Sequence, residues 1–330
     1  MEIYLDNAAT TRVCPEAADT AYKVMTELYG NPGSTHKLGR EARAVLDDSR
    51  NKLAAALGCA AKEVYFTSGG TESDNWAILE GAYLRRRIGR HIISSAVEHD
   101  AVRQPLEKLA REGWEITLLS PDSTGAVSVD AVQGFLKEPF SAKTLGADMI
   151  SVSGHKVHAP KGIGALYVRQ GLKLPAHILG GGQEEGMRSG TEPMPQIAAF
   201  GEAVRIAKAE MPEANARMEA LRAQCVQTLT ETVPSIVFLG GGSAHILSLS
   251  LPGYRSEVLM NYLEAKGIYV SKSSACKRGR RSHVLAAIGA PDKVIDGALR
   301  VSFSRYTTAE DCAAFCDALA AARRELYPSL

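Results

Sequence analysis

Lys156 ends the run Ser151-Val152-Ser153-Gly154-His155-Lys156, which follows an apolar strand pattern and leads into a glycine-rich turn reaching Gly164. An amine held at a strand end among small residues can form a Schiff base with an aldehyde, provided that burial or a nearby cation keeps it unprotonated. Read alone, a solvated surface lysine is the simpler account. The Gly162-Ile163-Gly164 turn is no dinucleotide fingerprint, because Tyr167 stands where the third glycine belongs. Further upstream, a strand-like stretch at 63–67 runs into Ser68-Gly69-Gly70-Thr71-Glu72-Ser73 and then a helical pattern. Small residues at a helix start leave N–H groups and the positive end of the dipole free, an arrangement suited to phosphate. An ordinary tight turn is the competing account.

Cys276 follows the apolar residues 268–270 and sits among serines and cations that fit no helix or strand period. Lys272, Lys277, Arg278, Arg280 and Arg281 favour the thiolate, and a loop position lets a thiolate visit more than one partner. The other cysteines read as buried thiols. Cys312 and Cys316 lie one turn apart beside Phe315 and Leu319, the pattern of an apolar helix stripe rather than a metal pair. No CxxC spacing is present, so no metal site is expected. Arg300, between Leu299 and Val301, reads as a strand arginine whose plain role is an edge salt bridge.

These residues need a frame. β-branched runs at 63–67, His91–Ser95, Glu115–Leu119, Met149–Ser153 and 165–168 alternate with helical patterns at 71–87 and 100–112, which predicts an α/β protein with a helix-covered, mostly parallel sheet. A long alanine-rich helix is expected over 198–232. Beyond it, 245–251, 257–266, 268–271, 299–304 and 309–326 suggest a smaller α+β domain. The expected division is a large domain over 15–205 and a small one from 1–14 with 206–330. Thr307 and Glu310 have the spacing of a capping box for the last helix.

The 330 residues carry a formal net charge of +1, which excludes a general electrostatic grip on nucleic acid or anionic membrane. There is no basic segment followed by an apolar stretch at the start, and no run approaches the roughly 18 apolar residues of a membrane helix. A cytoplasmic protein is expected.

Taken in order, the motifs are YLDNAATT at 4–11, GNPGSTH at 30–36, FTSGGTESDN at 66–75, EH at 98–99, DAVQG at 130–134, SGHKVHAPKGIGALYVR at 153–169, GGGQEEGMRSGT at 180–191, SSAC at 273–276 and RVSF at 300–303. On these the chain resembles the cysteine desulfurases, class-V aminotransferase relatives of the pyridoxal 5'-phosphate enzymes of fold type I. The resemblance implies that Lys156 carries the cofactor as a Schiff base and that Asp130 faces its pyridine nitrogen. Gln133 is implied at the phenolic oxygen, and His99 stacks on the ring and moves protons. Gly70, Thr71, Ser153 and His155 are implied to hold the phosphate, joined by Thr191 of the partner subunit in a homodimer. Arg300 becomes the clamp for the substrate carboxylate, with Asn31 also near the ligand. Cys276 is implied to take sulfur from L-cysteine, leaving L-alanine, and to pass it to a sulfur-acceptor protein such as a scaffold or a tRNA-thiolation enzyme, in iron–sulfur cluster assembly, tRNA thiolation or thio-cofactor synthesis.

One interval departs from that family. Only residues 120–128 lie between the strand Glu115–Leu119 and the strand expected at 129–132. A parallel crossover needs about a dozen residues or more, so a strand–helix unit of the family has no counterpart here. Two alternatives therefore stay open beside the desulfurase: selenocysteine lyase or another β-elimination, and an inactive cofactor-binding homologue that serves as an interaction partner.

Overall fold

The computed structural model describes residues 2–121, 131–272 and 281–328. Asp130 and Cys276 lie outside them. β1 (Ile3–Tyr4) is followed by α1 (Pro15–Thr26) and α2 (Lys37–Leu57). The His36 side chain caps the start of α2, and Gly58 ends it in the left-handed conformation, φ 68°. Next come β2 (Val64–Thr67), α3 (Gly70–Asn75), a π turn at Trp76–Glu80, α4 (Gly81–Arg85), β3 (His91–Ser95), α5 (Asp100–Arg111) and β4 (Glu115–Leu119). After the undescribed stretch, α6 (Ala131–Gly134), α7 (Ala142–Leu145), β5 (Met149–Ser153) and β6 (Gly164–Val168) complete the first half.

β2, β6 and β5 form one sheet in that order, with β6 antiparallel to both neighbours. The alternation of strands and helices pointed to parallel pairing, and β2 and β5 do run in the same direction. β6 reverses because the link from β5, residues 154–163, is too short for a parallel crossover. β3 and β4 pair in parallel as a separate ribbon. A cleft of about 690 Å³, lined by Ile92 and Ile93 from β3 and Met149 from β5, lies between the ribbon and the sheet. Ile93, Leu118 and Leu119 are exposed on the ribbon, the consequence expected of a sheet lacking a strand–helix unit.

α8 (Met194–Thr232) starts four residues before the expected 198 and serves two cores. Its first half packs Ile197, Phe200 and Val204 against α1, α2 and the β2-β6-β5 sheet. Its second half gives Met218, Leu221, Cys225 and Leu229 to a second core. Around that core are β7 (Val237–Leu239), β8 (Ile246–Ser250), α9 (Ser256–Ala265), β9 (Ile268–Tyr269), β10 (Ser271–Lys272), α10 (His283–Ala287), α11 (Asp292–Asp296), β11 (Ala298–Ser302) and α12 (Ala309–Glu325). Cys312 and Cys316 are buried there, as an apolar stripe requires. The cap of α12 is shifted by one residue from the expectation: Thr308 and Asp311 make the reciprocal pair, while the Thr307 hydroxyl accepts the Ser304 N–H at 2.9 Å.

β1 pairs with β9, so Ile3 and Leu5 are anchored in the second core. The chain then crosses to the first core, where Thr11 N–H donates to the His155 carbonyl. The segment between the two anchors runs through the candidate site.

Candidate active site

Thr67 at the end of β2 and Ser153 at the end of β5 both pair with Gly164. The Ser68–Thr71 turn and the Gly154–Lys156 turn therefore leave the sheet at one edge, the carboxyl edge where open α/β sheets bind ligands. Gly69 has φ 151° and open space around it, so the backbone there forms an uncovered cradle before α3. Gly164 is required by close approach, since a Cβ on it would lie 2.7 Å from both the Gly69 Cα and the Val152 carbonyl oxygen. Gly70 is buried and Thr71 is exposed at the first turn of α3. Glu72 accepts the Ser68 N–H at 2.8 Å and pairs with Arg188 at 2.8 Å. Burial pushes the Glu72 carboxyl up, but the bonds from Arg188 and Ser68 outweigh it and hold the group below its ordinary value.

The Lys156 Nζ donates to the Ala8 carbonyl at 2.5 Å and the Ala9 carbonyl at 3.1 Å. Gln133, on α6, donates its Nε2 to the same Ala8 oxygen at 3.0 Å, and its Oε1 is buried with no partner among the described residues. Ala8 N–H donates to Ser302 Oγ at 2.8 Å, and Asn7 Nδ2 donates to the Ser302 carbonyl at 2.9 Å. Two residues earlier on β11, Arg300 pairs with Asp6 at 3.1 Å, its side chain 15% exposed. Residues 6–9 thus join the lysine and the glutamine to the arginine. The His155 carbonyl accepts from Thr11, and its Nδ1 meets Thr10 Oγ1 at 3.2 Å. Burial first, then the charges of Lys156, Lys161 and Lys137, lower His155 to about 4, so its ring is neutral near pH 7.

Ser153 is buried at the end of β5. His99 caps α5 by accepting the Ala101 N–H at 3.1 Å, and His283 meets the neighbouring Glu98 carbonyl at 3.2 Å. Thr191 is exposed at the end of the 180–191 loop. That loop is fixed from within by the Arg50–Glu184 and Arg188–Glu72 pairs. Asn31 is exposed, and its Oδ1 closes its own turn on Gly33 N–H at 2.8 Å. Neither Thr191 nor Asn31 belongs to the network around Ala8.

Two cations expected to act on the Cys276 thiolate have other partners. Lys272 pairs with Glu257, and Arg281 with Asp292 and Asp296. Lys277, Arg278 and Arg280 lie outside the described residues.

Asp6, Ala8, Lys137 and His245 carry no chemical signal in the sequence. YLDNAATT was a motif without an assigned task, and the contribution of Ala8 is a backbone oxygen that no side-chain pattern reveals. His245 is buried, and burial with the charges of Lys137 and Arg300 lowers it to about 3. Among the described residues no cluster of three or more His, Cys, Asp or Glu could hold a metal ion.

The family model for class-V aminotransferases matches residues 3–128 and 125–315, two stretches that meet where the strand–helix unit has no counterpart. Cysteine desulfurase IscS of Methanosarcina thermophila is 36% identical over 359 residues, covering 94% of this chain and 89% of that protein. The alignment is longer than this chain of 330 residues, so the relative carries residues with no counterpart here. Cysteine desulfurase IscS of Serratia proteamaculans is 37% identical over 367 residues, covering 94% and 90%. Among solved structures, a NifS-like protein superposes with a TM-score of 0.93 at 32% identity, covering 99% of this chain and all of that one. Matched by its family model over most of its length and by relatives over nearly all of it, this chain belongs to the class-V aminotransferase family and, within it, to the cysteine desulfurases.

Proposed function

We propose that this chain takes sulfur from L-cysteine, leaving L-alanine, and carries it as a persulfide on Cys276 to an acceptor protein. The observation that carries the reading is the segment at residues 6–9, on which the candidate cofactor lysine, Gln133 and the candidate carboxylate clamp Arg300 converge.

The residues present fit pyridoxal phosphate. The Gly69 cradle is open, the unpartnered Gln133 Oε1 marks a buried place for an added polar group, and Lys156 is the amine at the same sheet edge. Gly70, Thr71, Ser153 and His155 would hold the phosphate, Lys156 the aldehyde carbon, Gln133 the phenolic oxygen, His99 the ring face and Asp130 the pyridine nitrogen. When bound, the cofactor supplies an electron sink for the bond broken at the substrate Cα. Arg300 orients the substrate by its carboxylate, with Asp6 steadying the guanidinium. The Lys156 Nζ takes the Cα proton. Cys276 attacks the substrate sulfur as thiolate and becomes the persulfide as the Cβ–S bond breaks, and a proton gained at Cβ together with the one returned to Cα completes alanine.

The reading includes a homodimer in which Thr191 of the partner subunit reaches the phosphate. Its support is apolar exposure: Tyr22 is 65%, Tyr29 67% and Leu179 85% exposed, the last close before the loop that bears Thr191. The division into domains at 15–205 and at 1–14 with 206–330 is also proposed, and the two separate cores support it. Iron–sulfur assembly or tRNA thiolation is the proposed destination of the sulfur, and the cytoplasm the proposed location. No helix among the described residues is long and apolar enough to cross a membrane.

Purified protein given L-cysteine and a thiol reductant should release alanine and sulfide in equal amounts. Cys276→Ala should stop sulfide release while the cofactor stays bound. Release of pyruvate instead of alanine, or turnover that survives Cys276→Ala, contradicts the proposal.

A further inference from the structure

The strands on either side of the 120–128 interval, β3 before it and β5 after it, face the same cleft of about 690 Å³. β3 lines it with His91, Ile92, Ile93 and Ser94, and no residue of β4 does, so the cleft runs along the edge of β3 that β4 leaves open. The Glu115 N–H donates to the Arg90 carbonyl at 2.8 Å, and the Ala96 N–H to the Leu119 carbonyl at 2.9 Å. Residues 90, 92, 94 and 96 therefore direct their backbone groups to β4, and His91 and Ile93 direct theirs to the open edge. Across the cleft, the Arg169 N–H donates to the Asp148 carbonyl at 2.8 Å, which makes Asp148, Ile150 and Val152 the residues bonded to β6. Met149, which lines the cleft, then turns its N–H and carbonyl away from β6. Among the described residues, both strands are outermost in their sheets on that side. Such edges are templates for a further strand.

The walls between the two edges are apolar, with Ile78, Leu84, Ile88, Leu106 and Trp114 among the lining residues. Ile88 is 79% and Ile93 61% exposed, so the apolar surface is open to a partner. One end of the cleft is strongly basic. Arg85 lines it, and Arg86, Arg87 and Arg90 follow before β3 begins. All four are exposed, and none forms an ion pair among the described residues. The acids nearby are turned to other groups: Asp148 pairs with Arg169 at 2.6 Å, and Glu115 faces His91 at 4.0 Å. The net charge of +1 for the whole chain conceals this local excess.

We propose that the cleft docks an extended segment of a partner protein that combines alternating apolar residues with flanking carboxylates. The backbone of the segment joins the open edge of β3 or β5 as an added strand, its apolar side chains enter the cleft, and its acidic residues meet the arginines. The strand edges dictate the extended form, and the arginines dictate the charge. A nucleic acid would use the same arginines but would gain nothing from the strand edges or the apolar walls. The surface is separate from the catalytic edge. Met149 begins β5, the other end of which leads to Lys156, and no residue lining the cleft belongs to the candidate active site.

The test uses the full chain and a dye-labelled probe peptide, Glu-Glu-Val-Thr-Val-Thr-Val-Glu-Glu, followed by fluorescence anisotropy at low salt. Carboxylates at both ends let the probe dock in either direction. Saturable binding is expected. It should weaken about tenfold in the double variant Arg85→Glu with Arg87→Glu, where attraction at two exposed pairs becomes repulsion. It should be lost for a probe N-methylated through its Val-Thr-Val-Thr-Val stretch, which cannot pair as a strand. It should also be lost for a probe with lysine in place of each glutamate. These last two probes leave the protein unchanged, so they decide the matter even where the double variant fails to fold. Absence of saturable binding below about 1 mM overturns the inference. So does undiminished binding of the N-methylated or lysine probe, or an oligodeoxythymidine that binds more tightly than the peptide.

Discussion

Replacing Glu184 by alanine removes one acceptor that serves three donors. Its carboxylate takes Arg50 Nη1 and Nη2 at 2.7 Å each and the Phe66 N–H at 2.8 Å. The pair is almost dry, with side chains 14% and 3% exposed. Glu184→Ala therefore strands a guanidinium left with the Val64 carbonyl at 2.6 Å and the face of the Phe66 ring at 4.9 Å but no counter-charge bonded to it, together with an unpaired strand N–H. Removing one partner of a buried ion pair costs about 3–5 kcal/mol, because the charge left behind has no compensation. The orphaned N–H adds about 1–3 kcal/mol where water does not reach it. The two are not additive, so a loss of about 4 kcal/mol is expected, a large fraction of the roughly 5–15 kcal/mol that holds a folded protein together. Urea unfolding of wild type and variant, extrapolated linearly, measures it. The double change Arg50→Met with Glu184→Leu leaves no stranded charge and should recover most of the loss. A loss below about 1 kcal/mol, or a double variant no better than Glu184→Ala, refutes the reasoning.

Gly164→Ala should weaken pyridoxal phosphate binding, because its Cβ would press on Gly69 at 2.7 Å and overpacking there costs about 1–3 kcal/mol; titration of the visible cofactor band measures the affinity, and an unchanged affinity contradicts the cradle. His158 and His245 have folded values near 4 and 3, below the ordinary 6.5, so their contribution to stability is whole above pH 6.5 and is lost as the pH falls toward those values. Each should steepen the decline by up to about 1.4 kcal/mol per pH unit in that window, and a urea midpoint that stays flat there excludes it. Mixed dimers of Lys156→Ala and Thr191→Ala protomers should regain activity that neither variant has alone, since one site then holds both residues; no recovery rules out a phosphate site shared between subunits.

Much of the frame was legible because its signals are local. The strands at His91–Ser95, Glu115–Leu119 and Met149–Ser153 have the bounds expected from their β-branched runs. The Ser68–Thr71 turn follows from small residues between a strand and a helix. What stayed hidden depends on distant pairing or on backbone atoms. The reversal of β6 follows from the length of its connection rather than its composition. The shared role of Ala8 is carried by a carbonyl, and alanine shows nothing of it. Lys137 reads on the chain as one more surface lysine. Only the bend at Leu136 and the grip of Asn215, a residue 78 positions away, turn it inward. The Thr307 cap failed by one position because the Thr307 hydroxyl already serves the turn at Ser304.

Sulfur from L-cysteine should pass to one thiol, that of Cys276. Cys14, Cys225, Cys312 and Cys316 are buried, which keeps even Cys312, lowered by its bond from Cys225, away from substrate, and burial together with the charge of Glu63 pushes the Cys59 thiol up to about 12, so none of these five is a ready nucleophile. Protein loaded with cofactor and given L-cysteine without reductant should gain the mass of one sulfur atom, mapped by peptide mass spectrometry to Cys276, with one alanine released for each sulfur bound. A sulfur that maps to any other cysteine, or alanine formed with no sulfur retained on the chain, contradicts the account.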